Sequence, residues 1–166
     1  GAFTMNTGNT NSGGWNNSHM RKTVLGSDAS PTSPRANTLL AALPADLRAV
    51  MKPITKYSDN TGGGNNTASY VTSTTDYLPL LAEFEIHGAR TYANSAEQNY
   101  QQQYAYYQAG NSKVHYKHNA TGTAAYAWCR SVSAAYTGIF CLVHTDGNPI
   151  NYTANDSWAV APGFAA

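Results

Sequence analysis

The chain has 166 residues, of which only 11% are charged, and a formal net charge of +1; this length suits one domain with a substantial core rather than two. So small a net charge gives no basic surface for phosphates or anionic lipids, and we expect neither a nucleic-acid partner nor a membrane-surface partner. No apolar run approaches the roughly 18 residues that cross a bilayer, so no membrane insertion is expected.

The first third of the chain predicts two short helices. One is expected from about residue 17 to 25, with Ser18 as its N-cap. The run 39–51 has apolar residues at helical spacing, and Pro44 is well placed to open a short helix within it. Pro53 then closes this helical part of the chain.

A hairpin-like stretch follows. Strands are predicted at Ile54–Tyr57 and near Tyr70–Thr72, and the glycine- and asparagine-rich segment between them predicts a surface loop.

The run Tyr77–Ile86 fits a strand or a short helix equally well, and Gly88 ends it in either case. Glu83 and Glu85 lie two residues apart, so on a strand they would share one face. We interpret them as a solvated edge; the alternative is a carboxylate pair of the kind that glycosidases use.

A tyrosine-rich helix is predicted next. Ser95 followed by Gln98 forms a capping box, and Gly110 stops the helix. Aromatic residues at helical spacing usually pack against the core of their own domain, and we expect that here. The stripe consists of Tyr100, Tyr104 and Tyr107.

Beyond Lys113 the pattern changes to strands. Short apolar stretches at Ala124–Cys129 and Ile139–Val143 are followed by Asp146-Gly147, a pair typical of hairpin turns. Helices first and strands last predict an α+β fold, with a twisted, mostly antiparallel sheet in the C-terminal part.

No catalytic or metal-binding group stands out in the sequence. Cys129 and Cys141 could pair across two strands, but we favour two free, buried thiols because no second cysteine pair supports a disulfide framework. His115 and His118 lack a third ligand at metal spacing, so we expect no zinc. No nucleophile elbow and no phosphate-binding loop is present. We therefore expect no enzyme activity and no cofactor.

The stretch Ser131–Ser157 sets large apolar and aromatic side chains among Ser, Asn, Gly and Thr. This composition is typical of an adaptable binding surface, in which the large side chains supply contact area and the small polar ones supply hydrogen bonds. The alternative is that these residues merely form an edge strand.

Several strings stand in order along nearly the whole chain. They are Gly13-Gly14-Trp15-Asn16-Asn17-Ser18-His19-Met20-Arg21, Leu43-Pro44-Ala45-Asp46-Leu47, Ala127-Trp128-Cys129-Arg130-Ser131, Phe140-Cys141-Leu142-Val143, Asp146-Gly147 and Val160-Ala161-Pro162-Gly163-Phe164. Together these strings resemble a C-type-lectin-like domain family of bacteria and phages that is related to formylglycine-generating enzymes and C-type lectins. Some members of this family are variable proteins of diversity-generating retroelements, and the stretch from Trp128 to Phe164 is similar to their variable region.

The chain also departs from this family. Where the family usually has a Trp-Trp-Leu-Arg-Ser string, the sequence has Ala127 and Cys129 beside Trp128. The cysteine pair of formylglycine-generating enzymes has no counterpart, because Cys141 falls in a structural strand string. The calcium-dependent sugar motifs of animal lectins are absent as well, so we expect no calcium.

The resemblance implies a single C-type-lectin-like domain over residues 1–166, with a variable, ligand-facing region at about 126–160. We expect a ligand-binding display domain of a virion tail or bacterial cell surface, whose partner is a host-surface protein or glycan. It could be a homo-oligomer or part of a larger surface or tail assembly. The alternatives are a formylglycine-generating-enzyme-like or hydrolytic enzyme and a structural module of a tail or adhesin protein. The expected ligand-binding residues are Tyr136, Gly138, Ile139, Leu142, His144, Ile150, Tyr152, Thr153 and Asp156.

These ligand-binding side chains are expected to be exposed, whereas residues in the family-like strings are expected to lie in the core. The expected core residues are Trp15, Trp128, Arg130, Phe140, Val143 and Phe164.

Overall fold

A computed structural model describes all 166 residues and has an α+β architecture of short helices and small antiparallel sheets, as the sequence predicts. The helices are α1 (Gly14–Asn17), α2 (Leu39–Ala42), α3 (Ala45–Val50), α4 (Glu83–His87) and α5 (Ala105–Gln108), with a π-helical segment at Met20–Leu25 and 3₁₀ turns at Ala68–Tyr70 and Ser95–Asn99. The strands are β1 (Ile54–Asp59), β2 (Val71–Asp76), β3 (His115–Lys117), β4 (Ala120–Ala125), β5 (Ala127–Val132), β6 (Ile139–Val143) and β7 (Pro149–Thr153). None of the helices is long and apolar enough to span a membrane.

The N-terminal helices form largely where the sequence predicts them. The Ser18 hydroxyl accepts a hydrogen bond from the Arg21 N–H at 3.1 Å, so it caps the π-helical segment. The Thr38 hydroxyl accepts one from the Ala41 N–H and begins α2. Pro44 is the N-cap of α3, where its missing N–H costs nothing.

The seven strands form three separate antiparallel sheets, ordered β1-β2, β3-β4 and β5-β6-β7. Strands β1 and β2 correspond to the two predicted around the glycine-rich loop. The β6–β7 hairpin turns at Asp146-Gly147 as predicted, with Gly147 in the left-handed region at a φ of 87°. Strand β7 lies at the edge of its sheet.

The core lies on both faces of β5 and β6. Side chains alternate along a strand, so the paired residues Trp128 and Leu142 face one side and their neighbours face the other. The main cluster contains Met5, Trp15, Met20, Leu25, Leu80, Trp128, Val132, Phe140, Leu142 and Ala154. The opposite cluster contains Ile86, Ala93, Cys129, Cys141 and Val143. The sheet is thus covered on both sides.

The prediction of a tyrosine-rich helix is wrong. The chain forms a 3₁₀ turn at Ser95–Asn99 and the short helix α5, with irregular backbone between them. The cap is Asn94, whose side chain accepts from the Ala96 N–H. Between the 3₁₀ turn and α5, Gln101 donates its side-chain N–H to the carbonyl oxygen of Tyr57. Such contacts with distant backbone hold this segment outside a helix.

The expected burial of the tyrosine stripe is also wrong for two of its members. Tyr100 is 55% exposed and Tyr104 is 40% exposed, whereas Tyr107 is half-buried and packs against the second core cluster. Without a continuous helix the three rings no longer share one face.

Between Tyr77 and Ile86, only the end of the run is helical. Helix α4 begins at Glu83, and Gly88 is its C-cap with a φ of 66°.

Near the C-terminus, Phe164 is exposed, which corrects the expectation that it lies in the core. Its segment runs along the surface, where the Lys52 N–H donates to the carbonyl oxygen of Ala165.

Candidate binding surface

A buried ion pair joins helix α4 to the central sheet. The Arg130 guanidinium, fully buried, contacts the Glu85 carboxylate at 2.5 and 2.9 Å. It also donates to the hydroxyl of Ser58 at 2.7 Å and to the carbonyl oxygen of Leu80 at 2.8 Å. Burial alone would raise the pKa of Glu85, but Arg130 and Lys56 lower it to about 2. Glu85 is therefore an ionised part of the scaffold.

The other two glutamates of this region are buried as well. Glu83 accepts hydrogen bonds from the backbone N–H groups of residues 91–93 at 2.9 to 3.1 Å. Glu97 accepts from the hydroxyl of Ser131 at 2.6 Å and from the N–H of Asp59 at 2.9 Å. Complete burial raises the pKa of Glu97 to about 7.

The interpretation of Glu83 and Glu85 as a solvated edge is therefore wrong. Their carboxylates are satisfied by buried donors from elsewhere in the chain, which is the condition under which an acidic side chain can leave water. Both carboxylates are engaged by donors within the protein, so they act as parts of the scaffold.

A second buried polar group contains two residues of the N-terminal string, Trp15 and Arg21. The Asp76 carboxylate accepts from the indole N–H of Trp15 at 3.1 Å and from the Arg21 guanidinium at 2.7 Å. It also accepts from the hydroxyls of Ser27 and Thr74. Together with the Arg130 pair, this group fixes the scaffold on which the surface residues stand.

Four aromatic side chains pack together at one end of the central sheet. The ring of Tyr126 lies 4.9 Å from that of His144, 5.6 Å from that of Tyr152 and 4.7 Å from that of Trp158. All four residues are half-buried, and we call them the aromatic surface. Packing on one another and on the core restricts their motion, so they present rigid contact area.

A cavity of about 590 Å³ opens beside the aromatic surface, between it and the β3–β4 hairpin. Tyr126 and Trp158 form part of its wall, and Tyr116, His118 and Asn119 of the hairpin line it as well. The indole N–H of Trp158 has no hydrogen-bond partner. That nitrogen is buried from solvent, so what Trp158 offers to the cavity is the surface of its ring.

The nine residues predicted to bind ligand differ in exposure. Tyr136 is 58% exposed, whereas Gly138 and Leu142 are buried, so the expectation of exposure is wrong for these two. Leu142 faces the main core cluster, and a Cβ atom on Gly138 would meet the side chain of Asn9. The others are half-buried: Ile139, His144, Ile150, Tyr152, Thr153 and Asp156.

These residues also do not form a single patch. Ile139 pairs with Thr153, whereas Ile150 and Tyr152 pair with Leu142 and Phe140, so alternation places the two groups on opposite faces of β7. His144 and Tyr152 meet in the aromatic surface. Tyr136 lies beyond the opposite end of β6 from His144.

The site prediction omitted Tyr126 and Trp158, which complete the aromatic surface. Trp158 follows the last strand and lies beside the N-terminus, where its backbone N–H donates to the Phe3 carbonyl oxygen. The expected ligand-facing region at about 126–160 contains both residues, so the composition of that region was the sequence signal for them.

The cysteine and histidine residues form no further site. Cys129 and Cys141 are free and buried, as predicted, and burial raises both thiol pKa values well above the usual value. His115 is the first residue of strand β3 and His118 follows its end, and nowhere does the structure gather three or more His, Cys, Asp or Glu side chains into a group that could hold a metal ion.

No family model, curated protein or solved structure matches this chain. The case for a function therefore rests on the residues of the chain itself.

Proposed function

We propose that this chain is a ligand-binding display domain of C-type-lectin-like fold, which contacts a host-surface protein or glycan through its aromatic surface and the adjoining cavity. The observation that carries the proposal is the packed group of four half-buried aromatic side chains, two of which line that cavity. Rings that are already fixed by packing lose little conformational entropy when a ligand binds against them.

The division between scaffold and surface supports a display role. Trp15, Trp128 and Arg130, which belong to the strings that carry the family resemblance, are all buried. The C-terminal stretch after β6 supplies His144, Tyr152 and Trp158, which remain half-exposed. A protein whose ligand surface varies needs this separation, because changes at the surface then leave the core packing intact.

The pairing of the two ends of the chain supports the fold assignment within the proposal. The backbone N–H of Phe3 donates to the carbonyl oxygen of Trp158, and the backbone N–H of Trp158 donates to the carbonyl oxygen of Phe3. Between them, long irregular segments are anchored by buried polar groups rather than by long helices. A variable, ligand-facing region at about 126–160 then contains the whole aromatic surface.

The chemistry of the surface suits a weakly charged ligand. Rigid aromatic rings supply most of the contact energy in many interfaces, and small polar residues around them adapt to the partner. Such a domain would act on a virion tail or bacterial cell surface, alone or within a larger assembly.

Binding to an array of neutral and sialylated glycans tests the proposal directly. Replacing Trp158→Ala removes its ring from the cavity wall, so we expect at least one bound glycan to lose about tenfold in affinity, or ~1.4 kcal/mol. Tyr106→Ala is the matched control, because Tyr106 is exposed and lies outside the cavity. Equal affinity in the wild type and Trp158→Ala for every ligand would contradict the proposed site.

The DNA around the coding sequence tests the display role separately. A reverse transcriptase gene and a near-copy of the segment encoding Trp128–Phe164, differing mainly at adenines, are expected. A catalytic operon in their place would favour an enzyme, and a cluster of tail or adhesin genes with no second copy of the segment would favour a structural module.

A further inference from the structure

A second groove, of about 400 Å³, shares no residue with the aromatic surface or its cavity. It lies along the segment that connects the 3₁₀ turn at Ser95–Asn99 with α5 and is bounded on its other side by β1. Tyrosine and glutamine side chains dominate its wall. The residues that matter for its chemistry are Lys56, Tyr57, Tyr100, Gln101, Gln102 and Tyr104.

The groove presents flat aromatic faces in fixed positions. The rings of Tyr57 and Tyr100 stack with their centroids 4.8 Å apart and their planes 10° from parallel, although Tyr100 is 55% exposed. The Tyr104 hydroxyl accepts a hydrogen bond from Lys56 Nζ at 2.6 Å. Rings held in this way lose little conformational entropy when a flat ligand packs against them.

The hydrogen-bonding groups that the groove offers are neutral. Gln101 donates its side-chain N–H groups to the Tyr57 carbonyl oxygen and to Glu97, and Gln103 donates to the Ile86 carbonyl oxygen, so these two side chains are held within the protein. Gln102 also lines the groove, is exposed and makes no side-chain hydrogen bond within the protein. Its amide can therefore donate to and accept from a ligand.

The charges of the groove favour a neutral ligand. Lys56 Nζ lies 2.9 Å from Glu85 Oε1, and Glu85 is also paired with Arg130, so no uncompensated negative charge would attract a cation. The single ammonium of Lys56 is already bonded to Glu85 and Tyr104, which leaves little to hold a polyanion.

We propose that this groove binds a neutral saccharide chain, with one sugar ring stacked on Tyr100 and its hydroxyls hydrogen-bonded to the exposed amide of Gln102. A sugar combines an apolar C–H face with several neutral O–H groups that both donate and accept, which matches this lining. Proline-rich peptides also dock in aromatic-lined grooves, but proline has no N–H and cannot donate to the amide oxygen of Gln102.

Titration with soluble maltohexaose, cellohexaose, chitohexaose and mannohexaose, followed by NMR of the labelled protein, tests this proposal. We expect at least one of them to bind with a Kd of about 1 mM or tighter and to shift the signals of the groove. Tyr100→Ala should weaken that binding about tenfold or more, whereas Tyr100→Phe, which keeps the ring, should bind nearly as the wild type does. The exposed Tyr106, outside this groove, provides the control variant Tyr106→Ala.

The proposal fails if none of the four oligosaccharides shifts the groove signals, if Tyr100→Ala binds as the wild type does, or if only an oligoproline peptide binds. Far-UV circular dichroism establishes that each variant is folded. Trp158→Ala should leave binding in this groove unchanged, so failure here and failure of the proposed function at the aromatic surface are distinguishable.

Discussion

Arg130 and Glu85 form a bidentate ion pair inside the protein, with Nη1 2.5 Å from Oε2 and Nη2 2.9 Å from Oε1. Arg130 lies on β5 and Glu85 on α4, so the pair fastens the helix to the sheet. Buried charges are tolerated only when they are paired and hydrogen-bonded, which makes each partner dependent on the other.

Replacing Arg130→Met should lower the free energy of unfolding by about 3–5 kcal/mol, because it removes both of the Arg130 contacts to the buried Glu85 carboxylate and leaves only Lys56 to pair with it. Urea denaturation measures this change. Arg35→Met is the control: Arg35 is exposed and pairs with Asp28, so the expected loss is about 1 kcal/mol or less. Similar losses in both variants would contradict a central role for the Arg130 pair.

Glu97 should make stability fall as the pH rises between about 4.5 and 7. Burial raises its pKa from 4.5 to about 7 in the folded protein, so in this range the folded state binds a proton that the unfolded state has released. The stabilisation is complete below pH 4.5 and is lost as the pH rises through 7. The expected loss is on the order of 3 kcal/mol.

Urea denaturation at several pH values checks this, with Glu97→Gln as the comparison. The variant cannot ionise, so the difference in unfolding free energy between the two proteins should change across this pH range and be constant above it. Glu85 does not interfere: its pKa is lowered to about 2, so its contribution is lost only as the pH falls below about 4.5. A difference independent of pH would contradict the raised pKa of Glu97.

The thiols of Cys129 and Cys141 should not react with a disulfide reagent such as DTNB while the protein is folded. Both are fully buried, and burial holds their pKa values high, so the reactive thiolate is scarce and inaccessible. In urea, both thiols should react at once. Rapid reaction of the folded protein, or no reaction in urea, would contradict two free and buried cysteines.

Two residues of the predicted ligand surface should respond to mutation in opposite ways. Leu142→Ala should lower the free energy of unfolding by about 2–5 kcal/mol, because Leu142 is fully buried in the main core cluster. Tyr136→Ala should change it by about 0.5 kcal/mol or less, because Tyr136 is 58% exposed. Thermal melts of both variants measure the contrast, and equal melting temperatures would refute the assigned burial.

Gly14 should not tolerate a side chain. Its φ is 52°, and a Cβ atom would lie 2.0 Å from the carbonyl oxygen of Asp59, a backbone atom that cannot move aside cheaply. Gly14→Ala should therefore destabilise the protein by more than about 1 kcal/mol. Gly8→Ala is the control, because nothing lies within 4 Å of a Cβ atom there. Denaturation curves compare the two, and a harmless Gly14→Ala would contradict this close approach.

Local patterns in the sequence were enough to predict the α+β class and the position of several elements. Pro44 at the start of α3, Gly88 in the left-handed region after α4, and Asp146-Gly147 in the β6–β7 turn act through backbone conformations that depend on the residue itself. The short apolar runs at β5 and β6 also have a local signature, and they identified a buried region that contains both cysteines.

Tertiary contacts decided the rest. Glu85 is buried because Arg130, 45 residues away, supplies its partner, and the segment at Gln101 is not helical because its amide binds β1. Neither partner can be read from local spacing. Likewise, alternation predicts which residues share a face, but only packing shows that both faces at Leu142 are covered and that Trp158 returns to complete a surface. Burial depends on which distant segments meet, and that is a property of the folded chain.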